Sequence, residues 1–76
     1  MYIDGKLIGK KLKSLREEKG LSLDEVSTYL EVPSNTLTKY EEDASKMVIE
    51  IFEKILNYYE EDVVNFFVSL RDNTHE

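Results

Sequence analysis

The sequence predicts an all-α domain of five helices. Apolar residues recur three and four apart, as in Ile8, Leu12 and Leu15, or Ile49, Phe52, Ile55, Leu56 and Tyr59. The gaps between these runs carry helix-ending and helix-starting residues: Gly20, then Ser22 with Glu25 three positions on, then Pro33. The stretch LDEVSTYLEVPSNTLTKYEE, residues 23–42, has Val26, Leu30, Val32, Leu37 and Tyr40 at the spacing needed by two helices joined through a short turn. With 76 residues the chain makes one domain, and at that size about 60% of the unfolded surface is buried, so the core is small.

The first helix is expected from about Leu7 to Lys19, with Gly20 positioned to take the left-handed conformation that ends it. Upstream, Asp4-Gly5 lies between Tyr2-Ile3 and Lys6-Leu7. The pair favours a tight turn, but with two residues on each side an extended arm is expected over a hairpin. The second helix opens at Ser22, where Ser22 and Glu25 form a capping box, and runs to about Leu30. Pro33 disfavours helical geometry at Val32. A third helix follows from Pro33 or Ser34 to about Tyr40, with Leu37 and Tyr40 inward and Ser34, Asn35, Thr38 and Lys39 outward.

Glu41 to Lys46 reads as a loop. The fourth helix spans about Val48 to Tyr59, with Ile49 on its apolar side. Glu60-Glu61-Asp62 opens the fifth, where acidic residues suit the positive end of the helix dipole. That fifth helix is apolar on more than one side: Val63, Val64, Phe66, Phe67, Val68 and Leu70 exceed a single core-facing stripe. Some of them cover the core. Val63, Phe66, Phe67 and Leu70 are the candidates for a two-fold dimer interface, and the alternative is that all are internal. The domain is expected over residues 1–71, with 72–76 a flexible tail.

Composition excludes several classes. With no cysteine there is no disulfide framework and no thiolate zinc site. No apolar run approaches the ~18 residues of a membrane span, and the N-terminus lacks a signal-peptide pattern, so a cytoplasmic protein is expected. No cofactor motif, nucleophile–base pair or phosphate-cradling glycine loop is present, which argues against an enzyme. Glu60, Glu61 and Asp62 point in different directions on a helix and suit capping better than metal binding. His75 is a lone tail residue.

The net charge of −6 is unevenly spread. Residues 1–40 hold seven basic and six acidic side chains, whereas residues 41–76 hold three basic and ten acidic ones. The acidic half reads as a solvated face, as a site for a protein partner, or as a device that weakens nucleic-acid contact.

The run IGKKLKSLREEKGLSLDEVSTYLEVPSNTLTKYE, residues 8–41, resembles the helix-turn-helix domains of phage Cro and repressor type, the Xre-like group with the lambda-repressor-like fold. The helix-turn-helix then lies at about 22–41. The resemblance implies double-stranded DNA as partner and a recognition helix at about 34–40. It also implies a structural ion pair between Arg16 and Glu41, clamping the first helix to the third; the alternative for Arg16 is a phosphate contact.

On that reading Asn35 is the best base reader, since its amide can pair with adenine through two hydrogen bonds. Lys39 suits guanine or a phosphate, and Ser34 and Thr38 suit base or backbone. Lys10, Lys11 and Lys13 add long-range attraction from the first helix; the alternative for Lys10 and Lys13 is the side facing away from the duplex. The same residues also suit a plain solvated surface.

Four departures stand out. Leu23 replaces the phosphate-binding glutamine common in the family, and Glu31 replaces the turn glycine. Glu42-Asp43-Ala44-Ser45-Lys46 replaces an Asn-Gly and basic segment, and Met47 replaces a proline. The leading expectation is a sequence-specific regulator acting as a homodimer. The alternative is a protein-interaction module on the same fold, an antirepressor or regulatory subunit that pairs with another protein through the acidic C-terminal half or the fifth helix.

Overall fold

A computed structural model describes residues 4–74, with side chains described through residue 70. The elements are α1 (Gly5–Glu18), α2 (Leu23–Leu30), α3 (Ser34–Glu42), a 3-10 turn (Ala44–Lys46), α4 (Ile49–Tyr58) and α5 (Val63–Thr74). The all-α, five-helix expectation holds. No helix among the described residues is long and apolar enough to cross a membrane. Met1 to Ile3 and the last two residues, including His75, lie outside the described residues, and with them most of the expected arm.

Asp4 and Gly5 belong to the first helix rather than to an arm or hairpin. The Asp4 carboxylate accepts the backbone N–H of Leu7 at 2.9 Å, so Asp4 is an N-cap and α1 begins at Gly5. At the other end of the chain α5 continues through Thr74, past the point where a tail was expected.

α1, α2 and α4 end in one way. Leu21, Val32 and Glu61 donate backbone N–H groups to the carbonyls of Arg16, Ser27 and Leu56, at 3.1, 3.0 and 2.8 Å. The residue before each donor is left-handed: Gly20 at φ 70°, Glu31 at φ 61° and Glu60 at φ 57°. This is the Schellman arrangement, which supplies partners for carbonyls that the helix leaves open. Glu60 therefore ends α4 instead of opening α5. Asp62 alone does the opening, its carboxylate accepting from the Asn65 N–H at 3.1 Å.

The core is built from Leu12, Leu15, Val26, Leu30, Leu37, Phe52, Ile55, Leu56, Tyr59, Phe66 and Leu70. Ile49, expected inward, is 64% exposed. It is the first residue of α4, at the rim of the bundle. Tyr40 is only half-buried, and the inward position beside Leu37 is taken by Glu41.

Two of the expected interface residues are also corrected. Phe66 and Leu70 are 0% and 1% exposed. Four apart, they share one helix face, and Phe66 meets Phe52 edge-to-face at 5.4 Å. They close the core of their own chain and are not free to contact another. Phe67 is partly buried beside Phe52, while Val63, Val64 and Val68 remain exposed.

The left-handed glutamates yield a direct test. An L-residue in this conformation costs roughly 1–2 kcal/mol that glycine does not incur, less the extra chain entropy glycine loses. Glu31→Gly and Glu60→Gly are each expected to stabilise the domain by about 0.5–1 kcal/mol in urea unfolding, with unchanged m-value. A loss of stability in both would show that the two side chains make compensating contacts.

Candidate nucleic-acid interface

α2 and α3, joined through Glu31 to Pro33, form a helix-turn-helix. What orients α3 is its inner side. Leu37 enters the core, and one turn later Glu41 meets Arg16 of α1. The guanidinium grips the carboxylate through two bonds, Nε to Oε2 at 2.7 Å and Nη2 to Oε1 at 3.2 Å. Nη1 donates to the Leu21 carbonyl at 2.9 Å. The side chains are 10% and 5% exposed, so both charges lie largely out of water.

Donating to the Glu41 carboxylate holds the Arg16 guanidinium above its ordinary pKa, against the opposing effect of burial. α3 can come this close because Gly9 faces it. A Cβ there would lie 2.5 Å from the carbonyl oxygens of Tyr40 and Glu41.

Tyr59 of α4 feels the same two charges. Its hydroxyl is buried and has no hydrogen-bond partner among the described residues. Burial pushes the phenol pKa above its usual range, the Glu41 carboxylate adds to this, and Arg16 opposes it.

With the inner side fixed, Asn35 and Lys39 are exposed and Ser34 and Thr38 are half-buried. The two hydroxyls are not idle. Ser34 Oγ donates to Asp24 Oδ1 at 2.7 Å and lies 3.3 Å from Ser27 Oγ, while Thr38 Oγ1 donates to the Ser34 carbonyl at 3.2 Å. Each hydroxyl proton is thereby committed, leaving acceptor lone pairs and the Thr38 methyl for other contacts.

Sequence reasoning missed Asp24. Locally it is an acid in the first turn of α2, and nothing near it signals a partner ten residues away across the turn. Leu23 beside it is half-buried against the core.

The basic side chains are distributed differently from expectation. Lys10 and Lys11 line a groove with Leu7, Ser14, Glu18 and Leu70, at the seam between α1 and α5. Lys13 shares a groove with Arg16, Leu23, Thr38, Glu41 and Glu42. It lies three residues before Arg16, so it falls on the helix face that turns toward α3.

At the far end of α3, Asp43 caps the 3-10 turn by accepting the Ser45 N–H at 2.9 Å. That bond holds its carboxyl below the usual range, with Lys6 and Lys46 adding to the effect. Glu42 is exposed and borders the grooves on both sides of α3.

The sequence model of the helix-turn-helix domain family matches residues 9–67. A protein of Pyrobaculum aerophilum described as a candidate HTH-type transcriptional regulatory protein is 34% identical over 61 residues, covering 80% of this chain and 24% of that protein. A relative of the same description from Sulfurisphaera tokodaii is 38% identical over 64 residues, covering 84% of this chain and 22% of the relative. The chain thus spans about a quarter of the length of these relatives.

Among solved structures, a point mutant of the restriction-modification controller protein C.Esp1396I superposes with a TM-score of 0.82 at 19% identity, covering 99% of this chain and 100% of the other. The clp gene regulator ClgR from C. glutamicum does so with a TM-score of 0.82 at 18% identity, covering 96% and 95%. The chain belongs to the Xre-like helix-turn-helix family.

Two stability tests follow from the buried polar groups. Arg16→Met leaves the Glu41 charge buried and unpaired, and is expected to cost about 3–5 kcal/mol in denaturant unfolding. Combining it with Glu41→Leu should restore most of that loss, because neither charge is then stranded. Tyr59→Phe removes a buried hydroxyl that has no partner, and should be neutral or stabilising by up to about 1 kcal/mol. A clear destabilisation on thermal melting would reveal a partner for the hydroxyl.

Proposed function

We propose that this domain is the sequence-specific DNA-binding unit of a transcriptional regulator, acting as a homodimer through α3. The observation that carries the reading is the outward face of α3. Asn35 and Lys39 project from a helix whose opposite side is fastened to α1 by the Arg16–Glu41 pair. A reading helix must be held rigidly for its side chains to meet base edges in register. Asn35 offers a donor and an acceptor to adenine, and Lys39 a donor to guanine or to phosphate. Thr38, its proton committed, offers an acceptor to adenine or cytosine amino groups and a methyl to thymine.

The description of the relatives as candidate transcriptional regulators supports the same reading. Lys13 is a better positive contributor than Lys10 and Lys11, because it borders Thr38. For a two-fold contact, Val63 and Phe67 remain of the residues first considered, joined by the exposed Ile49 and Val64.

The second reading is a protein-interaction module. The surplus of acidic over basic residues in the second half, with Leu23 where a phosphate donor is usual, favours it. The outcome turns on whether the acidic rim defeats phosphate attraction.

The two readings separate in a titration against mixed DNA fragments across a salt series, with light scattering for mass. A dimer whose affinity falls steeply with salt is expected. Asn35→Ala should cost about 1–3 kcal/mol on the preferred sequence and relax discrimination at one base pair. Lys39→Ala should weaken binding and reduce the salt slope by about 1 if it meets phosphate. Undetectable DNA binding at low salt would favour the interaction module.

A further inference from the structure

We infer that Asp24 is a specificity-determining residue: its carboxylate, held at the start of α3, opposes phosphate and makes the domain depend on base contacts. This rests on the DNA-binding reading above. Ser34 is the first residue of α3, and its hydroxyl donates to Asp24 Oδ1 at 2.7 Å. The bond fixes where the charge sits. A helix start carries unpaired N–H groups and the positive end of the dipole, and attracts an anion. Here a side-chain carboxylate already sits beside it.

Asp24 is exposed, so its charge faces whatever approaches this surface. The same bond removes the one hydroxyl proton that Ser34 had for a phosphate oxygen. Pro33 before it has no N–H, and Leu23 beside Asp24 has no polar side-chain atom. Sequence-blind grip is therefore withheld where α2 and α3 meet. Asn35 and Lys39, one and five residues further along α3, keep their full hydrogen-bonding capacity. Binding to mixed DNA rests almost wholly on phosphate attraction, whereas a preferred site also supplies base contacts, so a charge that opposes phosphate costs mixed DNA more.

Two variants separate the charge from the hydrogen bond. Asp24→Asn keeps an acceptor for Ser34 and removes the charge, whereas Ser34→Ala keeps the charge and removes the bond. Affinity for mixed-sequence duplex is measured for both and for the parent chain from low to moderate salt, with thermal melting as the folding control. For Asp24→Asn, affinity for mixed DNA is expected to rise about 3- to 10-fold at low salt, with a salt slope steeper by about 1. The ratio of preferred to mixed binding should fall. Ser34→Ala keeps the charge but frees the carboxylate from the start of α3, and is expected to raise the affinity for mixed DNA by less than Asp24→Asn does.

If the parent binds DNA and Asp24→Asn binds no better, the inference is overturned and the DNA-binding reading stands. If the parent fails to bind and Asp24→Asn binds, the inference is supported. If neither binds at low salt, both are overturned.

Discussion

The structure depends on one buried ion pair. Arg16 and Glu41 stand 25 residues apart and join α1 to the last turn of α3 through two hydrogen bonds. The third Arg16 bond, to the Leu21 carbonyl, ties in the link between α1 and α2. Tyr59 of α4 lies within the field of both charges. Two charges this far out of water are tolerated because each satisfies the other and the guanidinium has a further acceptor. Gly9 makes the approach sterically open. The pair therefore sets the rotation of α3 about its own axis, and with it the side chains that α3 turns outward.

Around this clamp, local rules build the helices. Ser22 and Glu25 cap α2 reciprocally, at 3.0 and 2.8 Å. Asp4 caps α1, and Asp62 caps α5. Three helix ends share one hydrogen-bond pattern, yet only one has glycine at its left-handed residue. At Glu31 and Glu60 the pattern is imposed on residues that disfavour it. Val32, packed against the core directly after Glu31, shows what holds the turn: burial of the following side chain outweighs the local preference.

The polar surface of α3 is narrower than its composition implies. Ser34 and Thr38 spend their protons within the protein, and Asp43 spends its carboxylate on the 3-10 turn. Asn35, Lys39 and Glu42 remain freely disposed along the helix. The charges there are mixed: Lys13 and Lys39 each share a groove with Glu42, and Asp24 adds an acid at the start of α3. Recognition by such a surface relies on a few directed contacts more than on bulk attraction.

The sequence by itself determined the helices, their order and the caps at Gly20 and Ser22, because these depend on residues within four positions of one another. Capping and apolar spacing are written locally, so Ser22, Glu25, Gly20 and Pro33 could be interpreted in place. The Arg16–Glu41 pairing was legible only through likeness to a family, since nothing local links the two. Tertiary structure alone decided which apolar residues of α5 go inward, because that helix is apolar on more than one side and the position of Phe52 selects Phe66 and Leu70. It also decided that Asp24 meets Ser34 and that Lys13, not Lys10 or Lys11, borders α3. Those outcomes depend on how whole helices are rotated against each other, and that rotation is set by the packed core and the buried ion pair.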